Sequence, residues 1–214
     1  MSDSSASLPK PRSYFEQERP ELVAQLPERL GTLLDVGCGA GGVGRALRDR
    51  AEFLAGIELE EEAAAVAREV YDQVLVGRVE ELISKADGPF DTILAYDLLE
   101  HLPEPDRLLR QLRDIASDGA LLHVSMPNAR HWSLLRDLVV HGTFGYTDWG
   151  HRDRTHLRWV TRRDLVDLLE SSGWRVEQTL HAPLTPLGRL AERLTGGRSA
   201  EFLVYQWAAL ARRA

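Results

Sequence analysis

The stretch LLDVGCGAGGVG at residues 33–44 constrains this chain more than any other. Leu33, Leu34, Asp35 and Val36 form a short apolar run that ends beside an acid, and the glycine-rich turn that follows opens into a helical segment reaching Arg50. Strand, tight turn and helix start in this order place backbone N–H groups and a helix N-terminus at the carboxyl end of a strand, where open α/β sheets bind ligands. Glycine is required there because the turn needs positive φ and because a ligand must come close to bare backbone. Gly37, Gly39 and Gly42 also spell G-x-G-x-x-G, a pattern too short to name a ligand by itself.

Asp35 discriminates. A carboxylate two residues before the first glycine repels a pyrophosphate in a partly desolvated loop and suits a cation. With LLDVGCGAG in place, the chain resembles the class I S-adenosylmethionine-dependent methyltransferases, whose cofactor carries a sulfonium and an ammonium and no phosphate.

Two further segments carry the resemblance. Phe53 to Glu58 is an apolar run ending in an acid about twenty residues past the glycines, the place from which a carboxylate accepts hydrogen bonds from both ribose hydroxyls. Residues 90–102, FDTILAYDLLEHL, are similar to the family's fourth motif, in which the loop after the fourth strand lies against the methionine part of the cofactor. The resemblance implies that Asp35, Gly37, Cys38 and Gly39, then Glu58 and Leu59, Val79, and finally Tyr96 and Asp97 hold S-adenosylmethionine. One position departs from the family: Arg78 follows Gly77 where an acid often receives the adenine amino group, so adenine is expected to rest on the Val79 backbone N–H and on apolar neighbours.

The implied fold is α/β: a Rossmann-like, doubly wound, seven-stranded and mostly parallel sheet of order 3-2-1-4-5-7-6. Strand 7 is antiparallel and helices cover both faces. A single domain over residues 13–214 follows a disordered tail at 1–12, which suits a length of 214 residues with 43% hydrophobic and 28% charged side chains. Helix is expected over 14–26 with an interruption at Pro20, over 105–117, and from a Thr161/Asp164 capping box to Gly173. Closing strands are expected at 174–180 and 201–210, with a surface helix between them.

The formal charge of −7 argues against a general grip on nucleic acid. Cys38, the sole cysteine, permits no intrachain disulfide. No apolar run is long enough to span a membrane, and a cytoplasmic setting is expected.

Residues 128–160 break the αβ rhythm and bring together Trp132, Phe144, Tyr146, Trp149 and the histidines His131, His141, His151 and His156. This is the candidate substrate cap. Within it, residues 150–161 resemble a signature of small methyltransferases associated with bacterial surface-polysaccharide modification, which implies a glycan or nucleotide-sugar acceptor. Transfer to a hydroxyl needs a base near neutral pH, and His156 is the first candidate, His151 the second, with Asp153 to orient one imidazole. Asp153, Arg154 and Arg158 read equally well as an ion-pair network anchoring the cap. His101 is expected to bond backbone locally. No metal site is expected; His151, Asp153 and His156 are the trio weighed and set aside. The competing readings are a nicotinamide-dependent oxidoreductase, opposed by Asp35, and a cofactor-binding module without chemistry.

Overall fold

The computed structural model describes residues 15–214; the expectations for the tail at 1–12 and for Tyr14 lie outside the described residues. Seven strands form one sheet: β1 Gly31–Val36, β2 Ala51–Glu58, β3 Gln73–Val76, β4 Phe90–Tyr96, β5 Ala116–Pro127, β6 Trp174–His181 and β7 Gln206–Arg213. Their order is β3-β2-β1-β4-β5-β7-β6. The first five pair in parallel, and β7 runs antiparallel to both β5 and β6. This is the architecture expected.

The parallel strands read as continuous apolar runs because helices cover both faces of the sheet. Leu34 and Val36 of β1 join one core cluster with Ile93, Ala95 and Val124, while Leu33 joins a second with Leu47, Leu54 and Leu94 on the opposite face. Leu33, Leu34, Leu54, Phe90, Ile93 and Leu94 have no exposed surface. Burial of each such side chain contributes about 1.5–3 kcal/mol.

Several boundaries moved, each for a tertiary reason. The entry segment is helical at Phe15, breaks before Pro20 as expected, and resumes over Pro20–Val23, ending short of Leu26; Arg19 at the break takes a left-handed backbone conformation (φ 47°) with its side chain bonded to Asp97 and Gln206. Strand β5 starts at Ala116 rather than at 120, pairing Phe90 with Ala116 and then shifting register before Thr92 meets Leu121. The last strand starts at Gln206 rather than at 201, because Ala200–Leu203 coils into a short helix. The fully buried Asn128 side chain donates to the carbonyls of Glu201 (2.9 Å) and Val204 (2.8 Å) and so fixes that turn against the end of β5.

Helix Arg162–Ser171 carries the expected capping box between Thr161 and Asp164 and stops before Gly173, whose φ is +85°. Helix Pro186–Leu194 lies on the surface with Leu187 and Leu194 largely exposed. Among the described residues no helix is long and apolar enough to cross a membrane.

Candidate active site

The first wall of the site is the glycine turn after β1. Its backbone N–H groups are already committed: Gly37 and Cys38 donate to the Ile57 carbonyl (2.8 and 3.2 Å), Ala40 to the Phe15 carbonyl (2.8 Å) and Gly41 to the Cys38 carbonyl (3.0 Å). Gly39 N–H donates to Glu58 Oε2 at 2.8 Å. A phosphate cradle needs such donors aimed at the ligand. Here the turn instead presents an acid.

The glycines also do something other than what the sequence suggested. A Cβ at Gly39 would stand 2.6 Å from the Phe15 carbonyl oxygen, and one at Gly42 would stand 2.4 Å from that of Gln17. The backbone of residues 15–17 therefore occupies the close approach expected of a ligand at these two positions. Gly37, with φ +80°, has only Leu98 Cδ1 near its Cβ direction, at 3.7 Å, and is the open one.

Glu58 ends β2 nearly fully buried, its Oε1 accepting from the Leu59 and Glu60 N–H groups at 2.9 Å each. Leu59 beside it is 58% exposed, an apolar surface at the strand end. Asp35 is buried on the same side and accepts from the Tyr71 hydroxyl at 2.6 Å. Burial lifts its carboxyl to about 6 against the pull of that hydrogen bond, and the Glu58 charge adds to the rise. Tyr71 owes its reach to Gly44, where a Cβ would stand 2.4 Å from its ring, and its ring also lies close to Gly56, where a Cβ would stand 3.1 Å from it. The sequence reading missed Tyr71; a tyrosine just after the Ala-rich helix, with Gly44 and Gly56 earlier in the chain, was the available signal.

A carboxyl protonating near pH 6 when folded and near 3.9 when unfolded holds an extra proton in the native state between those values. Its contribution to stability is therefore full below about pH 4, falls as pH rises to about 6 by on the order of 2–3 kcal/mol, and is level above. Comparing urea melts of the ligand-free protein with Asp35→Asn should show the parent losing stability relative to the variant across that window. Parallel pH profiles would return Asp35 to an ordinary carboxylate.

Cys38 is buried, with its thiol pushed up by burial and by the charges of Asp35 and Glu58, and its sulfur packs against Gly56. Val79 starts the short helix Val79–Leu82 with its side chain in the core. Arg78 is more than half exposed and pairs with Glu80 and Glu81. Tyr96 turns inward, its hydroxyl 2.7 Å from His123 Nδ1.

Asp97, next in the chain, opens the second wall. It adopts φ 50°, a left-handed conformation that costs a non-glycine residue of order 1–3 kcal/mol unless its surroundings hold it. The Arg19 guanidinium and the Gln206 amide, both hydrogen-bonded to its carboxylate, supply that hold, and Gln206 also donates to Ser125 Oγ at 3.0 Å. Burial raises the Asp97 pKa while Arg19 opposes the rise. Neither Arg19 nor Gln206 carries a local sequence signal, since they meet Asp97 from 78 and 109 residues away.

Beyond Asp97 lies a cleft of about 620 Å³ bordered by Arg19, Asp97, Glu100, His101, Asp153 and His156, with Trp149 at its edge. The loop from Gly150 is fastened to the one after β4: Leu157 and Arg158 N–H both donate to the Glu100 carbonyl, at 2.7 and 3.1 Å. His156 is buried, its Nδ1 3.3 Å from the His151 carbonyl, and its ring stands edge-on to His101 at 4.8 Å between centroids. His101 bonds Thr155, 54 residues away, rather than its own neighbourhood.

His151 does not border the cleft. Its Nε2 donates to the Tyr205 carbonyl at 2.7 Å, the ring packs on Tyr205, and burial lowers its pKa to about 4. The expected Asp153–Arg154–Arg158 network does not form. Arg154 pairs with Asp148, Arg158 reaches the Pro103 carbonyl, and Asp153 accepts from the Thr155 N–H and hydroxyl.

A family model described as "Methyltransferase domain" matches residues 12–179. The chain belongs to this methyltransferase family. The methyltransferase is 31% identical over 203 residues to a ubiquinone biosynthesis O-methyltransferase of Xanthomonas euvesicatoria pv. vesicatoria, covering 86% of this chain and 81% of that one. It is 31% identical over 119 residues to the protein of the same name in Pseudomonas paraeruginosa, where the match spans about half of each chain, 51%. The fold is shared with the magnesium protoporphyrin IX methyltransferase of Synechocystis PCC 6803 solved with bound S-adenosylhomocysteine, at TM-score 0.62 and 15% identity over 95% of this chain and 83% of that one. Its cofactor is S-adenosylmethionine. The residues fit that group: two buried acids, Asp35 and Glu58, stand beside a turn whose amides from Gly37 to Gly41 already have acceptors within the chain.

Proposed function

We propose that this methyltransferase O-methylates a small, uncharged, hydroxyl-bearing acceptor held in the cleft between Asp97 and His156. The observation that carries the reading is the pairing of a cation-suited cofactor turn with a neighbouring cleft edged by Asp97, Glu100, Asp153, His101 and His156. When bound, S-adenosylmethionine supplies a methyl group already activated on a sulfonium. The chain's own task is to position the acceptor and to ease the departure of its hydroxyl proton.

Each assigned residue keeps a part in this reading. Glu58 takes the ribose, Leu59 and the Val79 backbone flank the adenine, and Asp35, Gly37, Cys38 and Gly39 shape the methionine side. Asp97 stands at the junction with the acceptor, and Tyr96 supports it from the core. His156 is the side chain set against the acceptor hydroxyl. His151, tied to the Tyr205 carbonyl, holds the loop that carries His156 and Trp149.

The carboxylates around the cleft disfavour a diphosphate, which weakens the nucleotide-sugar expectation. A neutral sugar or a dihydroxyphenol suits the same walls, and the name of the Xanthomonas and Pseudomonas relatives favours the phenol. Labelled cofactor offered with dihydroxybenzenes, neutral sugars and nucleotide sugars tests the proposal. Methyl transfer to a neutral hydroxyl acceptor is expected; transfer confined to nucleotide sugars, or to amines, would overturn it.

A further inference from the structure

Asp35 stands beside the glycine turn with a hydroxyl for a partner and an acid for a neighbour. It is 3% exposed and accepts the Tyr71 O–H at 2.6 Å. Glu58, at the end of the adjacent strand, accepts N–H groups from Gly39, Leu59 and Glu60 and is the charge that acts on Asp35. Among the described residues, no arginine, lysine or histidine acts on the Asp35 carboxyl. We propose that Asp35 carries a proton in the ligand-free protein and releases it to solvent as the cofactor's ammonium arrives, with Tyr71 as the positioning residue that sets the pH of the exchange. This deepens the assignment of Asp35 to the methionine side of the cofactor and rests on it.

Every element packed around Asp35 withholds positive charge. Strand β2 brings Gly56 opposite it and Glu58 beyond, and β4 brings Leu94 opposite it and Tyr96 beyond. The turn brings Cys38, and Tyr71 follows the helix Glu61–Ala67. Burial, with the charge of Asp35 added, raises the Cys38 thiol and the Tyr71 and Tyr96 hydroxyls, so all three stay neutral beside it. Arg45, the charged residue of the helix Gly42–Leu47, is exposed.

A carboxyl in this place takes up a proton sooner than an exposed one, because burial disfavours its ionised form and the Glu58 charge adds to the cost. Its pKa stands at about 6. Tyr71 opposes the rise by donating to the ionised carboxylate. An ammonium set against Asp35 favours the ionised form far more than one hydroxyl does, so binding and loss of the proton drive each other. Binding that needs the ionised carboxylate is therefore near full strength at pH 7 and weakens about tenfold by pH 5.

Calorimetric titration of the full chain with S-adenosylhomocysteine between pH 5 and pH 7, repeated in buffers of different ionisation enthalpy, counts the proton directly. Over that range the ligand's amino group stays protonated and its carboxyl ionised. The parent should release about 0.9 proton per ligand bound at pH 5 and about 0.5 at pH 6. 5′-Methylthioadenosine, which keeps the adenosine and the sulfur without the amino-acid end, should bind with no proton released. Asp35→Asn, whose amide oxygen still accepts from Tyr71, should bind S-adenosylhomocysteine more weakly than the parent at pH 7, with level affinity across the range and no proton released. Tyr71→Phe should move the midpoint of the profile upward, since the ionised carboxylate loses its donor. If Asp35→Asn does not fold, Tyr71→Phe and the comparison of the two ligands carry the test.

Level affinity in the parent from pH 5 to pH 7 with no proton released, equal release with 5′-methylthioadenosine, or a Tyr71→Phe midpoint that is unmoved or lower would each overturn the exchange while leaving the cofactor assignment standing. Absence of S-adenosylhomocysteine binding at every pH would overturn the cofactor assignment, and the exchange with it.

Discussion

Glu58→Ala is expected to weaken S-adenosylhomocysteine binding by about 10- to 150-fold, the equivalent of about 1.5–3 kcal/mol for the loss of hydrogen bonds to a buried charged group. The carboxylate already receives three backbone N–H groups, from Gly39, Leu59 and Glu60, and so fixes the glycine turn and the strand end in one arrangement. On the proposed reading, ribose hydroxyls arriving at Glu58 find an acceptor-only group whose position is set beforehand, which reduces the ordering that binding must supply. Removing the side chain takes away both the acceptor and the alignment. Calorimetry on the folded variant, with its melting temperature recorded alongside, reads the effect directly. Affinity within twofold of the parent would remove Glu58 from the cofactor site.

His156→Gln is expected to lower turnover by about 10²–10⁴ with cofactor affinity unchanged. The imidazole is buried at the cleft wall, edge-on to His101, while the glycine turn proposed to hold the cofactor follows β1. Glutamine preserves size and hydrogen bonding to the His151 carbonyl but has no titratable nitrogen. A lost melting temperature with turnover within a few-fold of the parent would leave His156 a structural residue of the loop. His151→Gln offers the contrast: with Nε2 bonded to Tyr205 and the ring packed on that tyrosine, the dominant change should be in the loop's stability.

A strained contact holds the second wall of the site. Arg19 and Asp97 are the two described non-glycine residues at positive φ, and each holds the other through the guanidinium–carboxylate pair with Gln206 between them. Strain at both partners of one contact is what an over-determined site shows, since neither backbone conformation would persist without the other. The chain entering the sheet, the end of β4 and the start of β7 are thereby fixed at one point beside the cleft.

What the sequence determined by itself is what periodicity and local chemistry can carry. Phe90–Tyr96 was readable residue for residue because a buried parallel strand is a continuous apolar run bounded by turn residues. The Thr161/Asp164 cap was readable because both partners lie within one turn. The places of Asp35 and Glu58 at the ends of β1 and β2 were readable because the end of a strand before a turn is a fixed station in a βαβ unit, and strand order followed from the family those motifs indicated.

Tertiary structure decided everything that depends on segments distant in the chain. It gave Gly39 and Gly42 to the backbone of residues 15–17, turned Tyr71 onto Asp35, and closed Asp97 with Arg19 and Gln206. It also separated His151 from His156, which stand five residues apart in one loop. Backbone direction sent the first to the Tyr205 carbonyl and the second to Glu100 and His101. A loop has no period from which side-chain direction can be read, so the partners of its histidines were set by the surfaces against which the loop packs.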